Sequence, residues 1–281
     1  MDLLKAIFLG LLQGTTEFLP ISSSGHLVLV PWWLGWEKPP LVFDVVVHLG
    51  TLVAVLVYFW RDWLTLFRAS VHALRNLSQS NELAENPDTR LVLWLIVGTI
   101  PAATIGLLLE GMFTSTFSHP PLAAFFLLVT AGIMTVSERA HLVERDLNEM
   151  TARDALMIGI AQVFAIFPGI SRSGSTIATG ILQGLSRTTA ARFSFLLGTP
   201  LIFGAGIKLL VFDVLLTDDV VISSDMVMPL IAGFITSALM GFLCIWLLLR
   251  LLQQKRLFGF AIYCVVFGLL SLGRSLPVAL W

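Results

Sequence analysis

Phe167-Pro168-Gly169-Ile170-Ser171-Arg172-Ser173-Gly174-Ser175-Thr176 lies inside an apolar stretch running from Ala155 to Leu185. Pro, Gly and a cluster of serines interrupt any helix there, and lipid offers nothing to the backbone groups that the break sets free. Such a break survives at membrane depth only where protein or a water-filled cavity receives those groups. The stretch therefore reads as a re-entrant helix pair. A second pair occupies Leu3–Gly35, broken at Glu17-Phe18-Leu19-Pro20-Ile21-Ser22-Ser23-Ser24-Gly25-His26.

The rest of the chain supports a membrane setting. Of its 281 residues 57% are hydrophobic and 12% charged, and mean hydropathy is +0.89. Soluble domains carry about 25% charged residues, so a soluble enzyme, a secreted domain and a disordered chain are excluded. A net charge of -1 gives no basic surface for nucleic acid. Cys244 and Cys264 sit in apolar runs and read as small hydrophobes. Apolar runs near Leu41–Trp60, Leu91–Glu110, Pro121–Ser137, Phe193–Phe212, Met226–Leu249 and Leu257–Gly273 have the length of membrane spans.

Most of the 17 Lys and Arg residues fall in alternate loops, at Arg61–Arg90, Arg139–Arg153, Arg187–Arg192 and Arg250–Arg256. The intervening loops, Gly111–Pro120 and Asp213–Asp225, hold none, and the second carries Asp213, Asp218, Asp219 and Asp225. Basic loops stay in the cytoplasm, which places both termini outside. Asp2 leads directly into the first apolar stretch, without the basic start of a cleavable signal.

A shift of 149 residues matches Gly10 with Gly159, Gln13 with Gln162, Phe18 with Phe167, Ser22 with Ser171, Ser24 with Ser173 and Gly25 with Gly174. Leu49-Gly50-Thr51 recurs as Leu197-Gly198-Thr199, and Gly98, Ile100 and Gly106 match Gly233, Ile235 and Gly241. The expected fold is thus all-α and integral to the membrane. It consists of an inverted repeat of about six transmembrane helices plus two re-entrant pairs, with halves 1–137 and 138–281. Each half has an odd number of spans, so the halves are oppositely oriented and their broken segments meet near the midplane.

At the breaks the halves differ. The first supplies Glu17, Ser23 and His26; the second supplies Arg172, Ser173 and Thr176. Ionisable groups at membrane depth are costly and point to function. The turn opening the second short helix aims N–H groups at the meeting point, a phosphate-binding device that Arg172 reinforces with its planar fork. Ser171, Ser173, Gly174 and Thr176 join Arg172 in the expected phosphate site, with Gln13 and Ser22 in support. Ser22, Ser24, Ser171 and Ser173 also read as helix caps. A structural ion pair between Glu17 and Arg172 is the plainer alternative for those two residues. Asp44 and His48 either line the same cavity or hydrogen-bond between helices, the second being the favoured reading, and Glu82, Glu85, Asp88, Glu138, Glu144 and Asp146 read as solvated loop charges.

Gln13 and Glu17, Pro20 to His26, and Pro168 to Thr176 together resemble the motifs of the undecaprenyl-diphosphate phosphatase family, the bacitracin-resistance proteins. The resemblance extends along the whole chain. It implies an enzyme that removes the terminal phosphate of undecaprenyl diphosphate and recycles the lipid carrier of cell-wall synthesis. It further implies a multi-pass protein of the bacterial inner membrane whose site faces the outer side. The partners expected are the lipid substrate and membrane lipid, with a homodimer left open. A Mg²⁺ or Ca²⁺ ion near Glu17 is implied by the resemblance more than by the residues. Broader lipid phosphate phosphatases place a nucleophilic His six residues after Arg; here that position is Ala178, so their mechanism does not transfer. Catalytic roles fall to Glu17, Ser23, His26 and Arg172, with Ser23 the preferred nucleophile and His26 its rival. The competing reading is a lipid or anion transporter built on the same repeat.

Overall fold

The computed structural model describes residues 1–76, 86–108, 119–140, 144–216, 222–254 and 256–275. The expectations for Glu82, Glu85, most of the loop before Pro120, Asp218, Asp219 and Lys255 lie outside them. The described residues form eleven α-helices: α1 Leu3–Phe18, α2 Ser23–Leu34, α3 Leu41–Tyr58, α4 Trp60–Arg75, α5 Pro87–Leu108, α6 Pro120–Arg139, α7 Ala152–Phe164, α8 Arg172–Leu182, α9 Arg187–Ile207, α10 Ser224–Leu252 and α11 Phe258–Ser275. A π-helical turn continues α9 over Lys208–Leu216. The protein is all-α, and six helices (α3, α5, α6, α9, α10 and α11) are long and apolar enough to cross a membrane.

Both apolar stretches with a serine cluster are broken as their residues require. α1 stops at Phe18 and α2 starts at Ser23; α7 stops at Phe164 and α8 starts at Arg172. The hydroxyls of Ser22 and Ser171 cap the second helix of each pair, accepting from the N–H groups of Gly25 and Gly174 at 3.3 and 3.0 Å. Ser24 and Ser173 instead lie beside the cap hydroxyls, at 3.4 and 3.3 Å. The freed backbone of the second break is received by protein. The Thr130 hydroxyl of α6 donates to the Gly169 carbonyl at 2.9 Å and accepts from the Ser171 N–H at 3.0 Å.

The two breaks touch. A Cβ on Gly25 would lie 2.9 Å from the Gly169 Cα, so only glycine permits this approach. The Ser173 hydroxyl donates across the junction to the Leu19 carbonyl at 3.3 Å. Behind the junction the packing is reciprocal: α1 lies along α10 and α7 along α5. Gly10 meets Gly233 on the first pair and Gly159 meets Gly98 on the second. Small residues let membrane helices approach closely where no hydrophobic force drives them together.

Two expectations change here. The basic stretch after Trp60 is not a loop but the amphipathic helix α4, with Leu64, Phe67 and Leu74 exposed among Arg61, Arg68 and Arg75. That pattern suits a helix lying in a membrane interface. Glu138 is not solvated: it is 3% exposed and accepts from Arg187 at 2.6 Å and from the Leu257 N–H at 2.9 Å. A second ion pair closes the entry to α7. Arg145 grips Asp154 with both guanidinium nitrogens at 3.0 and 2.9 Å and also reaches the Gln183 carbonyl. Asp154 stands ahead of the apolar stretch that begins at Ala155. Burial raises its pKa, but the bonds from Arg145 and Thr151 outweigh burial and hold the carboxyl below the ordinary range.

Candidate active site

Glu17 lies in the last turn of α1 and Arg172 is the first residue of α8. Each charge sits on the helix end whose own partial charge repels it, since helix C-termini are negative and N-termini positive. Neither position is favourable by itself, and the two meet. An Arg172 Nη donates to Glu17 Oε1 at 2.5 Å, with side chains 16% and 6% exposed. The other Nη donates to the Ser194 carbonyl at 3.1 Å. Room for the guanidinium comes from Gly198 on α9, where a Cβ would fall on the guanidinium itself.

The second oxygen of Glu17 holds the hydroxyl. Ser23 Oγ donates to Oε2 at 2.5 Å, and the Gln13 amide, one turn back along α1, donates to the same oxygen at 3.1 Å. Ser22, directly before Ser23, has φ +73° and is the one non-glycine residue with positive φ among the described residues. Strain of this kind persists where the surroundings over-determine the backbone, commonly at functional sites. Here it turns the chain so that Ser23 faces the carboxylate while Ser22 caps α2.

Glu17, Ser23 and Arg172 line one cavity of about 340 Å³, together with Ser22, Ser24, Ser171, Lys38, Asp44, His48 and Gln162. Its remaining wall is apolar, including Leu27, Val28, Leu41, Val45, Leu201 and Ile202. The volume falls within the ~300–1,000 Å³ of small-ligand sites. Three of the four residues expected to be catalytic are thus brought together.

His26 is not among them. Its Nδ1 faces the Ser22 carbonyl at 2.7 Å, and its Nε2 meets the Tyr263 hydroxyl of α11 at 2.7 Å. A carbonyl only accepts, so Nδ1 carries the proton, and in the neutral ring Nε2 accepts from tyrosine. The ring stacks on Phe267 with centroids 5.0 Å apart and borders a different cavity, on the α10–α11 side.

Several expected phosphate ligands also turn elsewhere. The Gly174 N–H is taken by the Ser171 cap. Thr176 donates back to the Arg172 carbonyl at 2.7 Å and pairs with the Ser194 hydroxyl at 2.6 Å. Ser173 faces Leu19. Of the expected phosphate ligands in that motif, Ser171 and Arg172 line the cavity. His48, for which the sequence left a cavity-lining or an interhelical role, lines the cavity and brings Nε2 to 3.7 Å from Glu17 Oε2, while its Nδ1–H donates to the Asp44 carbonyl one turn back at 2.6 Å. The sequence signal was its one-turn spacing from Asp44 on a span; its distance in the chain from Glu17 hid the contact.

The donor set does not form a cage for a resident cation. No group of three or more His, Cys, Asp or Glu side chains clusters with metal-binding geometry among the described residues. Both Glu17 oxygens already accept from Ser23, Gln13 and Arg172, so the described residues form no ready-made cage for the Mg²⁺ or Ca²⁺ expected near Glu17.

Fold and site together define a polytopic membrane protein with two broken helix pairs that close on a largely apolar cavity, at one end of which a carboxylate holds a hydroxyl and a guanidinium. The chain belongs to the family described as Bacitracin resistance protein BacA, matched over residues 6–270. It is similar to an undecaprenyl-diphosphatase of Desulforudis audaxviator, 44% identical over 96% of each chain. It is also similar to proteins of the same name from Methanosphaera stadtmanae, 42% identical over 97% of this chain and 98% of the relative, and from Moorella thermoacetica, 42% identical over 96% and 97%.

Proposed function

We propose that this chain hydrolyses undecaprenyl diphosphate to undecaprenyl phosphate and inorganic phosphate, recycling the carrier lipid for cell-wall synthesis and thereby conferring bacitracin resistance. The observation that carries the reading is one carboxylate, Glu17, holding the Ser23 hydroxyl on one oxygen and the Arg172 guanidinium on the other, each at 2.5 Å. The family and the names of the relatives support the substrate.

Ser23 Oγ attacks the terminal phosphorus as its proton passes to Glu17 Oε2. The bond from that phosphorus to the bridging oxygen breaks, and the lipid monophosphate leaves with the electron pair. Its charge is already spread over phosphate oxygens, so no dedicated general acid is needed. Arg172 stabilises the charge of the transferring group, the dominant contribution in phosphoryl transfer. Water then attacks the phosphorus of the phosphoserine, the bond from phosphorus to Ser23 Oγ breaks as Oγ takes back the proton from Glu17, and inorganic phosphate departs carrying the oxygen and both protons of the water. Ser171 and Ser22 line the phosphate end, and the apolar wall takes the first isoprenoid units. Gln13 fixes the Glu17 carboxylate. His26 acts as a positioning residue through the Ser22 carbonyl.

The distribution of basic residues supports an orientation with those loops in the cytoplasm of a bacterial inner membrane and the cavity open to the outer side. The reciprocal packing of α1 on α10 and α7 on α5 supports an inverted repeat over 1–137 and 138–281. A carrier of lipid or anion would use the same architecture, but a binding site that only carries has no need of a serine hydroxyl bonded to a carboxylate. Phosphate release by purified protein in detergent, where no two compartments exist, tests the proposal. Stoichiometric phosphate and lipid monophosphate are expected; binding without release would overturn it.

A further inference from the structure

Gln162 stands two residues before the end of α7, is 2% exposed, and borders the cavity shared by Arg172 and Ser171. Neither its amide oxygen nor its amide nitrogen has a hydrogen-bond partner. Buried amides are almost always paired, because an unpaired one forfeits its hydration without return. The first half of the chain shows what is missing. There the matching residue, Gln13, donates to the Glu17 carboxylate one turn further on. One turn beyond Gln162 stands Ile166, an apolar residue on the same cavity wall. The glutamine that braces a carboxylate in one half has no carboxylate in the other, and it lies at the edge of the site.

We infer that Gln162 binds the lipid-linked phosphate of the diphosphate, the group that leaves, through its amide N–H. With the terminal phosphoryl group held at Ser23 and Arg172, the second phosphate lies further along the cavity. A neutral donor suits that position. It contacts the lipid-linked phosphate in the ground and transition states alike, yet holds the product less tightly than a second guanidinium would. The side chain has three torsions, so turning the amide into the cavity meets low barriers once an anion is there to receive it.

The inference rests on the proposed hydrolase activity, and the test separates the two. Phosphate release from undecaprenyl diphosphate and inhibition by undecaprenyl phosphate are measured in detergent for the wild type, Gln162→Leu and Gln162→Glu, each with a thermal midpoint. Absence of release by the wild type would sink the hydrolase reading itself. With an active wild type, Gln162→Leu is expected to raise KM and the product inhibition constant about tenfold, with kcat within about threefold, as for a contact made equally in ground and transition states. Its thermal midpoint should be unchanged or higher, because the unpaired amide is gone. The near-isosteric Gln162→Glu should raise both constants further by placing an anion against the phosphate. Constants within twofold of wild type in either variant, or loss of folding in both, would overturn the assignment and make Gln162 a structural residue.

Discussion

Replacing Glu17 by Gln separates the catalytic reading of the Glu17–Arg172 pair from the structural one. Glu17 performs two tasks: its Oε2 receives the Ser23 hydroxyl proton and its Oε1 fixes Arg172. Loss of a positioned base costs ~10²–10⁴ in rate, and a displaced charge stabiliser costs ~10²–10³ more. Because the tasks share one residue, a drop of at least about a thousandfold in kcat is expected. Stability falls too. Unpairing a buried charge costs about 3–5 kcal/mol, reduced here because Arg172 is 16% exposed toward the cavity. The double variant Glu17→Gln/Arg172→Gln removes the stranded cation, so it should regain much of that stability while its turnover stays at background. Phosphate release and thermal midpoints of both singles and the double complete the cycle. If the double recovered turnover together with stability, or if folded Glu17→Gln stayed within tenfold of wild type, the pair would be structural and the mechanism wrong.

Gly198→Ala pushes a methyl into the Arg172 guanidinium and should cut phosphate release about a hundredfold, whereas Gly132→Ala, whose Cβ meets nothing within 4 Å, should leave it unchanged. Tyr263→Phe removes the partner of His26 Nε2 and is expected to keep turnover within about tenfold; Ser23→Ala should fall to background, and the reverse order would favour His26 as nucleophile. The Asp154 carboxyl is held below its unfolded value near 3.9, so its stabilising contribution is full above about pH 4 and disappears as pH falls through the folded pKa. Thermal midpoints of the wild type should therefore drop on acidification below about pH 4, and Asp154→Asn should be less stable at pH 7 and flatter in the acid range.

The spans and both breaks were legible because hydropathy and the Pro, Gly and Ser residues report local constraints. The meeting of Glu17 and Arg172, 155 residues apart, was legible only through the internal repeat, which set both breaks at equivalent places. What the repeat does not encode was hidden. Tyr263 reaches His26 across 237 residues, and nothing near His26 in the chain announces that partner. Thr176 and Gly174 have the residue types of a phosphate loop, yet their groups are spent on the helix they begin and, for Thr176, also on Ser194 of α9. His48 lies on a span, which left it an interhelical or a cavity-lining role; that its neighbour is Glu17 of another helix was not legible. Glu138 looked solvated because its loop is charged, while Arg187 and the Leu257 N–H close over it. Gly198 did leave a trace, the echo of Leu49-Gly50-Thr51 in Leu197-Gly198-Thr199, although its role in admitting Arg172 needed the packing of α9 against α8.

The most direct measurement is rapid quenching of turnover with substrate labelled in its terminal phosphate, followed by mapping of the labelled peptide. Label should appear on Ser23 as an acid-stable phosphoester and be absent from Ser23→Ala. Label on His26, acid-labile and persisting in Ser23→Ala, would contradict the account.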